Sequence, residues 1–268
     1  MNVTQLKLKN FRNYREAVID FLPGVQVFVG KNAQGKTNLL EAIFFAVLSK
    51  SFRTAVDEEL IGWDAAESRL MVLFQNRIAD HNVQFILKKG EKRENLLNGQ
   101  PMKKRDVIGY LNAVLFSPED LLLIKGTPAG RRKFLDLELS QTQPAYYRAL
   151  LQYQRALFQR NVLLKQIQEG QAKRAILDVW DEQLHPLAAI LGRERQRNIG
   201  RLNEIAGRIH EKITAGRETF SAHYCIYAAS GTETVSDYYF WYEDELKKNR
   251  ERDIRRGTNQ ICLQKDEI

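Results

Sequence analysis

The run Gly30-Lys31-Asn32-Ala33-Gln34-Gly35-Lys36-Thr37 constrains this chain more than any other segment, because of what stands on either side of it. Val25, Val27, Phe28 and Val29 make a short apolar run just before it, and Leu39, Leu40, Ile43, Phe44 and Val47 recur at helical spacing just after it. Strand, glycine loop and helix in that order make a phosphate-binding loop. Gly30 and Gly35 let backbone N–H groups ring an anion, and the helix N-terminus adds its positive end. Lys36 then supplies a point charge for the β- and γ-phosphates. Thr37 offers the hydroxyl for Mg²⁺, a hard cation that keeps few protein ligands beside water and phosphate oxygens. The expected cofactors are ATP and Mg²⁺, with Asn38 continuing the nucleotide-lining run.

The remaining pattern divides the chain. Leu6 with Leu8, Val18 to Phe21 and Val25 to Val29 predict three strands, broken at Asn13 and at Pro23-Gly24. Strands return from Leu70 to Leu97, with a turn at Lys89-Gly90 and a tight hairpin at Asn98-Gly99, so an antiparallel sheet is expected beside a parallel one. Ala113 to Phe116 reads as a further apolar strand, and Ser117-Pro118-Glu119-Asp120 as a capped helix start, a logic that Thr127-Pro128 repeats. Beyond Pro144 the chain is helical to about Gly216. Tyr146, Leu150, Tyr153, Leu157, Leu164 and Ile167 form one stripe, and Ile176, Trp180, Leu184, Leu187 and Leu191 form another, on either side of Glu169-Gly170-Gln171. That spacing predicts an antiparallel helical hairpin, with a kink or break in its second arm at Pro186.

Cys225 and Cys262 stand apart from any metal-ligand spacing, which excludes a disulfide framework or zinc site as the organising feature. The N-terminus has no signal-peptide pattern, and the longest apolar run, Ala42 to Leu48, is far too short for a membrane span. A cytoplasmic protein is expected. The net charge of +8 favours a polyanionic partner or a merely solubilising surface. Residues 142–217 hold 13 Lys and Arg against 7 Asp and Glu, so most of the surplus lies in the helical part. Arg193, Arg195, Arg197 and Arg201 form one cluster, Lys103, Lys104 and Arg105 a second, and Arg131, Arg132 and Lys133 a third. Such cations neutralise phosphates without reading sequence, which makes them candidates for DNA contact.

A phosphate-binding loop also needs an acid for its metal and water, usually closing an apolar strand. Asp178 follows Ala175-Ile176-Leu177, but the surrounding stripe reads as a helix face. Glu119 and Asp120 follow an apolar strand, although capping alone accounts for them. Asp266 and Glu267 close the chain.

Several segments together resemble the RecF family of SMC-related DNA-repair ATPases. They are Leu8-Lys9-Asn10-Phe11-Arg12-Asn13-Tyr14, the glycine loop with Asn38-Leu39-Leu40-Glu41-Ala42-Ile43, Leu115 to Leu121, Lys125-Gly126 and Arg131 to Asp136. Tyr153 to Leu157 and Gln159 to Leu164 continue the resemblance, which covers about residues 1–257. It implies an α/β fold: an ABC-type P-loop ATPase head, a mixed sheet with an antiparallel subdomain, carrying an inserted helical hairpin. The implied boundaries are residues 1–116 for the first part of the head, 117–257 for the helical arm and 258–268 for a divergent return to the head. Family members continue past Arg255-Arg256-Gly257-Thr258 into a Gly-Pro-His-Arg-Asp-Asp stretch, a signature sequence and a second acidic ATP motif. Here residues 261–268 read differently.

By the resemblance Arg12 lies near the nucleotide, with a surface pairing to Glu16 as the alternative, and Glu119 and Asp120 follow a strand beside the metal. Ser51-Phe52-Arg53-Thr54 departs from the family in carrying Phe52 where a histidine is expected. The implied function is an ATP-controlled switch in DNA replication, recombinational repair and SOS induction. The implied partners are single-stranded DNA or single-/double-strand junctions, other recombination-repair proteins and, in the family, a second copy paired through ATP. Two other readings stay open, a non-hydrolysing remnant of that family and a P-loop kinase of small molecules.

Overall fold

The computed structural model describes residues 1–76, 79–225 and 238–268, without the side chain of Glu119. It forms two compact units, Met1–Phe116 and Ser117–Ile268.

In the first unit, six strands run in the order β2-β1-β3-β4-β5-β6, every neighbour antiparallel. They are β1 (Asn2–Phe11), β2 (Tyr14–Asp20), β3 (Glu67–Gln75), β4 (Asp80–Lys88), β5 (Glu94–Leu97) and β6 (Gln100–Pro101). The two-residue alternation of the sequence sets the register. Leu6 stands opposite Val72, Leu8 opposite Leu70, and Leu70 in turn opposite Phe85, so one sheet face is a continuous apolar surface. Helix α1 (Lys36–Leu48) covers it with Leu39, Ala42, Phe45 and Ala46, all buried, and the Phe45 and Phe85 rings meet edge to face at 5.0 Å. The hairpin between β5 and β6 turns at Asn98 and Gly99, both in the left-handed region at φ 51° and 78°.

Two segments expected as strands carry no ladder among the described residues. Val25, Val27 and Val29 are 90, 77 and 90% exposed, and Val114 and Phe116 are 84 and 85% exposed. An extended segment becomes a strand only when a neighbour takes its N–H and C=O groups, and alternating valines specify the conformation without supplying that neighbour. The described sheet is accordingly antiparallel throughout.

The second unit is helical: α2 (Leu122–Lys125), α3 (Pro128–Thr142), α4 (Pro144–Gln168), α5 (Leu177–Thr214) and α6 (Tyr238–Arg256). Pro128 and Pro144 occupy first-turn positions, where a missing N–H costs nothing. The hairpin turns after α4, with Gly170 at φ 75°. Tyr146, Tyr153 and Leu157 of α4 pack against Leu184, Ala188 and Leu191 of α5 and against Tyr242 and Leu246 of α6. Of the expected kink or break the break is absent, since α5 runs through Pro186 as one helix of 38 residues, its flanks buried by that core. Arg160, fully buried, ties three elements together. Its Nε donates to Asp181 at 2.6 Å, and its Nη1 donates to Asp253 at 2.7 Å and to Asn259.

Residues 258–268, expected to return toward the first unit, pack instead within the second. Ile261, Cys262 and Leu263 are buried in the helical core, and the Leu263 N–H donates to the Tyr153 hydroxyl at 3.0 Å.

Candidate nucleotide site

The glycine loop enters α1 through Gly35, which adopts φ 102° and serves as the helix N-cap without any side-chain cap. The backbone angle at Gly35 demands glycine, and a Cβ there would also come within 2.7 Å of the Asn13 amide oxygen and 3.1 Å of the Tyr14 ring, so the Asn13 side chain would have to move. Gly30 differs, since a Cβ there would meet nothing within 4 Å. Ala33 supplies a second left-handed residue at φ 65°. The first turn of α1 contains no acidic residue, so its N–H groups and dipole remain available to an anion. Lys36 Nζ donates to the carbonyls of Gly30 and Lys31 at 2.7 and 2.8 Å, placing the ammonium across the loop it belongs to. Lys31, Asn32, Gln34 and Thr37 are exposed around this ring, and Asn38 is half-buried.

The loop is braced from below by the β1–β2 connection. Tyr14 donates its hydroxyl to the Gly35 carbonyl at 3.2 Å, and Asn38 donates to the Asn13 side chain at 2.8 Å. Arg12, at φ 51°, spends its guanidinium on Glu41 rather than on Glu16. Its Nε and Nη2 reach the two carboxylate oxygens at 3.0 and 2.7 Å, and Nη1 reaches the Glu59 carbonyl at 2.7 Å. Ser51 donates to Glu41 at 2.5 Å, and Arg53 bridges Glu41 and Asn38 at 3.3 and 2.7 Å. Glu41 is fully buried on the sheet-facing side of α1. Burial alone would raise its pKa, but the hydrogen bonds from Arg12 and Ser51 and the charges of Arg12 and Arg53 outweigh it and hold the carboxyl below its ordinary value.

Glu41 is the residue that sequence reading missed as a functional element. The apolar stripe of Leu39, Leu40, Ile43, Phe44 and Val47 points away from it. The structure buries Leu39, Ala42, Phe45 and Ala46 and leaves Leu40 exposed, so the periodicity carried no signal for Glu41.

The acids considered as metal partners are engaged elsewhere. Asp178 lies in the first turn of α5 and pairs with Arg250 at 2.6 Å, as the helix-face reading implies. Asp120 accepts the Ser117 N–H at 2.6 Å as a cap, and the Glu119 side chain lies outside the described residues. Asp266 is buried and bound by the Tyr224 hydroxyl, and Glu267 pairs with Cys225 as a β-bridge. Among the described residues, no three His, Cys, Asp or Glu side chains converge as a metal site.

The basic candidates separate by environment. Lys103, Lys104, Arg105, Lys133, Arg193, Arg197 and Arg201 are exposed. Arg195 is 3% exposed and donates to both oxygens of Asp136, the Tyr146 hydroxyl and the Leu263 carbonyl. Arg131 is committed to the carbonyls of Gly126 and Ile268, and Arg132 to that of Asp266. These three arginines hold the second unit together.

Residues 2–250 match the model of the RecF/RecN/SMC N terminal domain. The DNA replication and repair protein RecF of Clostridium tetani is 38% identical over 269 residues, spanning all of this chain and 73% of that protein. The RecF of Halalkalibacterium halodurans is 39% identical over 274 residues, with 72% of it covered. The solved structure of the recombination mediator protein RecF-ATP in the RecFOR pathway superposes with a TM-score of 0.91 at 28% identity, over 99% of this chain and 71% of that one. Its RecF-ATPrS counterpart gives 0.89 at 27%, over 99% and 72%. A match at this identity along the whole chain shows that the chain belongs to the RecF family of DNA replication and repair proteins.

Proposed function

We propose that this chain binds Mg-ATP at residues 30–38 and couples that binding to contact with DNA. The observation that carries the reading is the loop itself: a glycine at a backbone angle that strains any other residue, an uncapped helix N-terminus and an ammonium held across the ring. Lys36 would exchange its two carbonyl acceptors for β- and γ-phosphate oxygens, a change from neutral to charged partners that favours the bound state. Thr37, exposed on the same turn as Lys36, fits the role of the Mg²⁺ ligand. The relative solved as RecF-ATP supports the choice of nucleotide.

Arg12 acts in this reading through Glu41 and the seat of α1, as a positioning residue. Lys103, Lys104 and Arg105 of the first unit and Lys133 and Arg193 of the second are the exposed cations assigned to DNA phosphates. Recombination-repair proteins belong to the same proposal on the strength of the RecFOR relatives, and an ATP-linked second copy belongs to it on the strength of the family resemblance alone.

Fluorescent-nucleotide titration of the whole chain and of Lys36→Ala, with and without single-stranded DNA, tests it. Saturable, Mg²⁺-dependent binding that is lost in the variant supports the site. Equal affinity in the two proteins refutes it.

A further inference from the structure

The distal end of α5 presents a surface that phosphate binding leaves unexplained. Ile205, Ile209 and Ile213 are 55, 53 and 76% exposed, although each is large and apolar. At 3.6 residues per turn they fall within an arc of about 80°. Lys212, Arg201, Arg208 and Arg197, all exposed, follow within about the next 80° on one side by the same periodicity; the acids Glu204 and Glu211 come beyond them, and half-buried Glu194 falls within the arc one turn before Arg197. Among the described residues none of these four cations pairs with a carboxylate; the one hydrogen bond Arg208 makes is from Nε to the Glu204 carbonyl at 2.8 Å. The opposite side of the helix is already occupied. Asn203 exchanges two hydrogen bonds with Ala222, and the His210 ring lies 6.1 Å from that of Phe220.

We infer that this face docks an acidic amphipathic helix of a partner protein, about four turns long, with apolar residues at intervals of three and four and carboxylates along one flank. Arg197 and Arg201 were grouped with phosphate-binding cations by sequence alone, but DNA would neutralise the cations and leave three isoleucines in water. An acidic amphipathic helix covers both components at once. A second copy of this chain is a poor occupant. Paired antiparallel, two such faces would set cation against cation, and paired parallel, they would meet no acidic row.

The test uses the whole chain and two fluorescein-labelled peptides of identical composition, of about 18 residues, one with leucines at helical spacing and glutamates on one flank, the other scrambled. Anisotropy should show the patterned peptide binding at least about tenfold more tightly, and Ile209→Ser and Arg201→Glu should each weaken it by about fivefold or more, with unchanged helical circular dichroism. Equal binding of the two peptides, no saturable binding, or indifference to Ile209→Ser overturns the inference. Two further results would also overturn it, each by naming another occupant. One is self-association in light scattering that Ile209→Ser abolishes. The other is a single-stranded oligonucleotide or an anionic vesicle that depends on Arg201 while the peptide does not.

Discussion

Glu41→Gln isolates the brace beneath the nucleotide loop. The substitution keeps the size of the side chain but removes the charge that meets Arg12 at two points, Ser51 at a third and Arg53 at a fourth. It also turns an amide NH₂ toward guanidinium donors that need an acceptor. Breaking a buried ion pair by removing one partner typically costs about 3–5 kcal/mol. Arg12 keeps 18% of its side chain in solvent and Arg53 keeps 45%, so both recover some hydration and the lower end, about 3 kcal/mol, is the expected loss.

For a unit of this size that loss corresponds to a fall in Tm of roughly 10 °C. The sign of the pH dependence follows from the depressed pKa. A carboxylate held below its unfolded value contributes stability that is present above the unfolded pKa and lost as pH falls through the folded one. The wild-type advantage over Glu41→Gln should therefore be full above the ordinary glutamate pKa of about 4.3 and fall away only as the pH drops below it, through the lowered folded pKa. Thermal scans of both proteins from about pH 2 to about pH 7.5 make the comparison. Coupling to Arg12 is then read from Arg12→Ala and the double variant, whose effects should be strongly non-additive. A Tm difference that does not change with pH, or additive single effects, would refute the ion-pair argument.

Lys36→Ala should lower ATP affinity by roughly ten- to a hundredfold, since a charged hydrogen bond is worth about 1.5–3 kcal/mol, and nucleotide titration measures it directly. Gly35→Ala should abolish ATP binding, because it combines φ 102° with a Cβ contact at 2.7 Å, and preserved binding would show that the loop relaxes freely. Arg195→Gln should destabilise the second unit by about 3 kcal/mol, seen in denaturant unfolding, by removing the cation that pairs with Asp136 and leaving that carboxylate with the Tyr146 hydroxyl as a hydrogen-bond donor. The same variant should leave the salt dependence of DNA binding alone. Replacing Lys103, Lys104 and Arg105 together by Gln should instead reduce the slope of log K against log salt by up to about three units, with little change in Tm.

Several features could be read directly from the chain because their physics is local. The glycine loop, the helical stripes of α4 and α5, and the turn at Asn98-Gly99 depend on periodicity and on φ > 0 positions that neighbouring residues specify. Other features needed a partner brought from far along the sequence. Arg12 meets Glu41 across 29 positions, and Arg195 meets Asp136 across 59, so an arginine expected near the nucleotide is also a brace for α1 and one grouped with DNA contacts became part of a core. Val25 to Val29 show the converse, an extended propensity that finds no ladder among the described residues. Ile261 to Leu263, assigned by position to one unit, were claimed by the apolar surface of the other. Side-chain chemistry determines what a residue can bind, but for charges and strands the available partner is decided only when distant segments pack together.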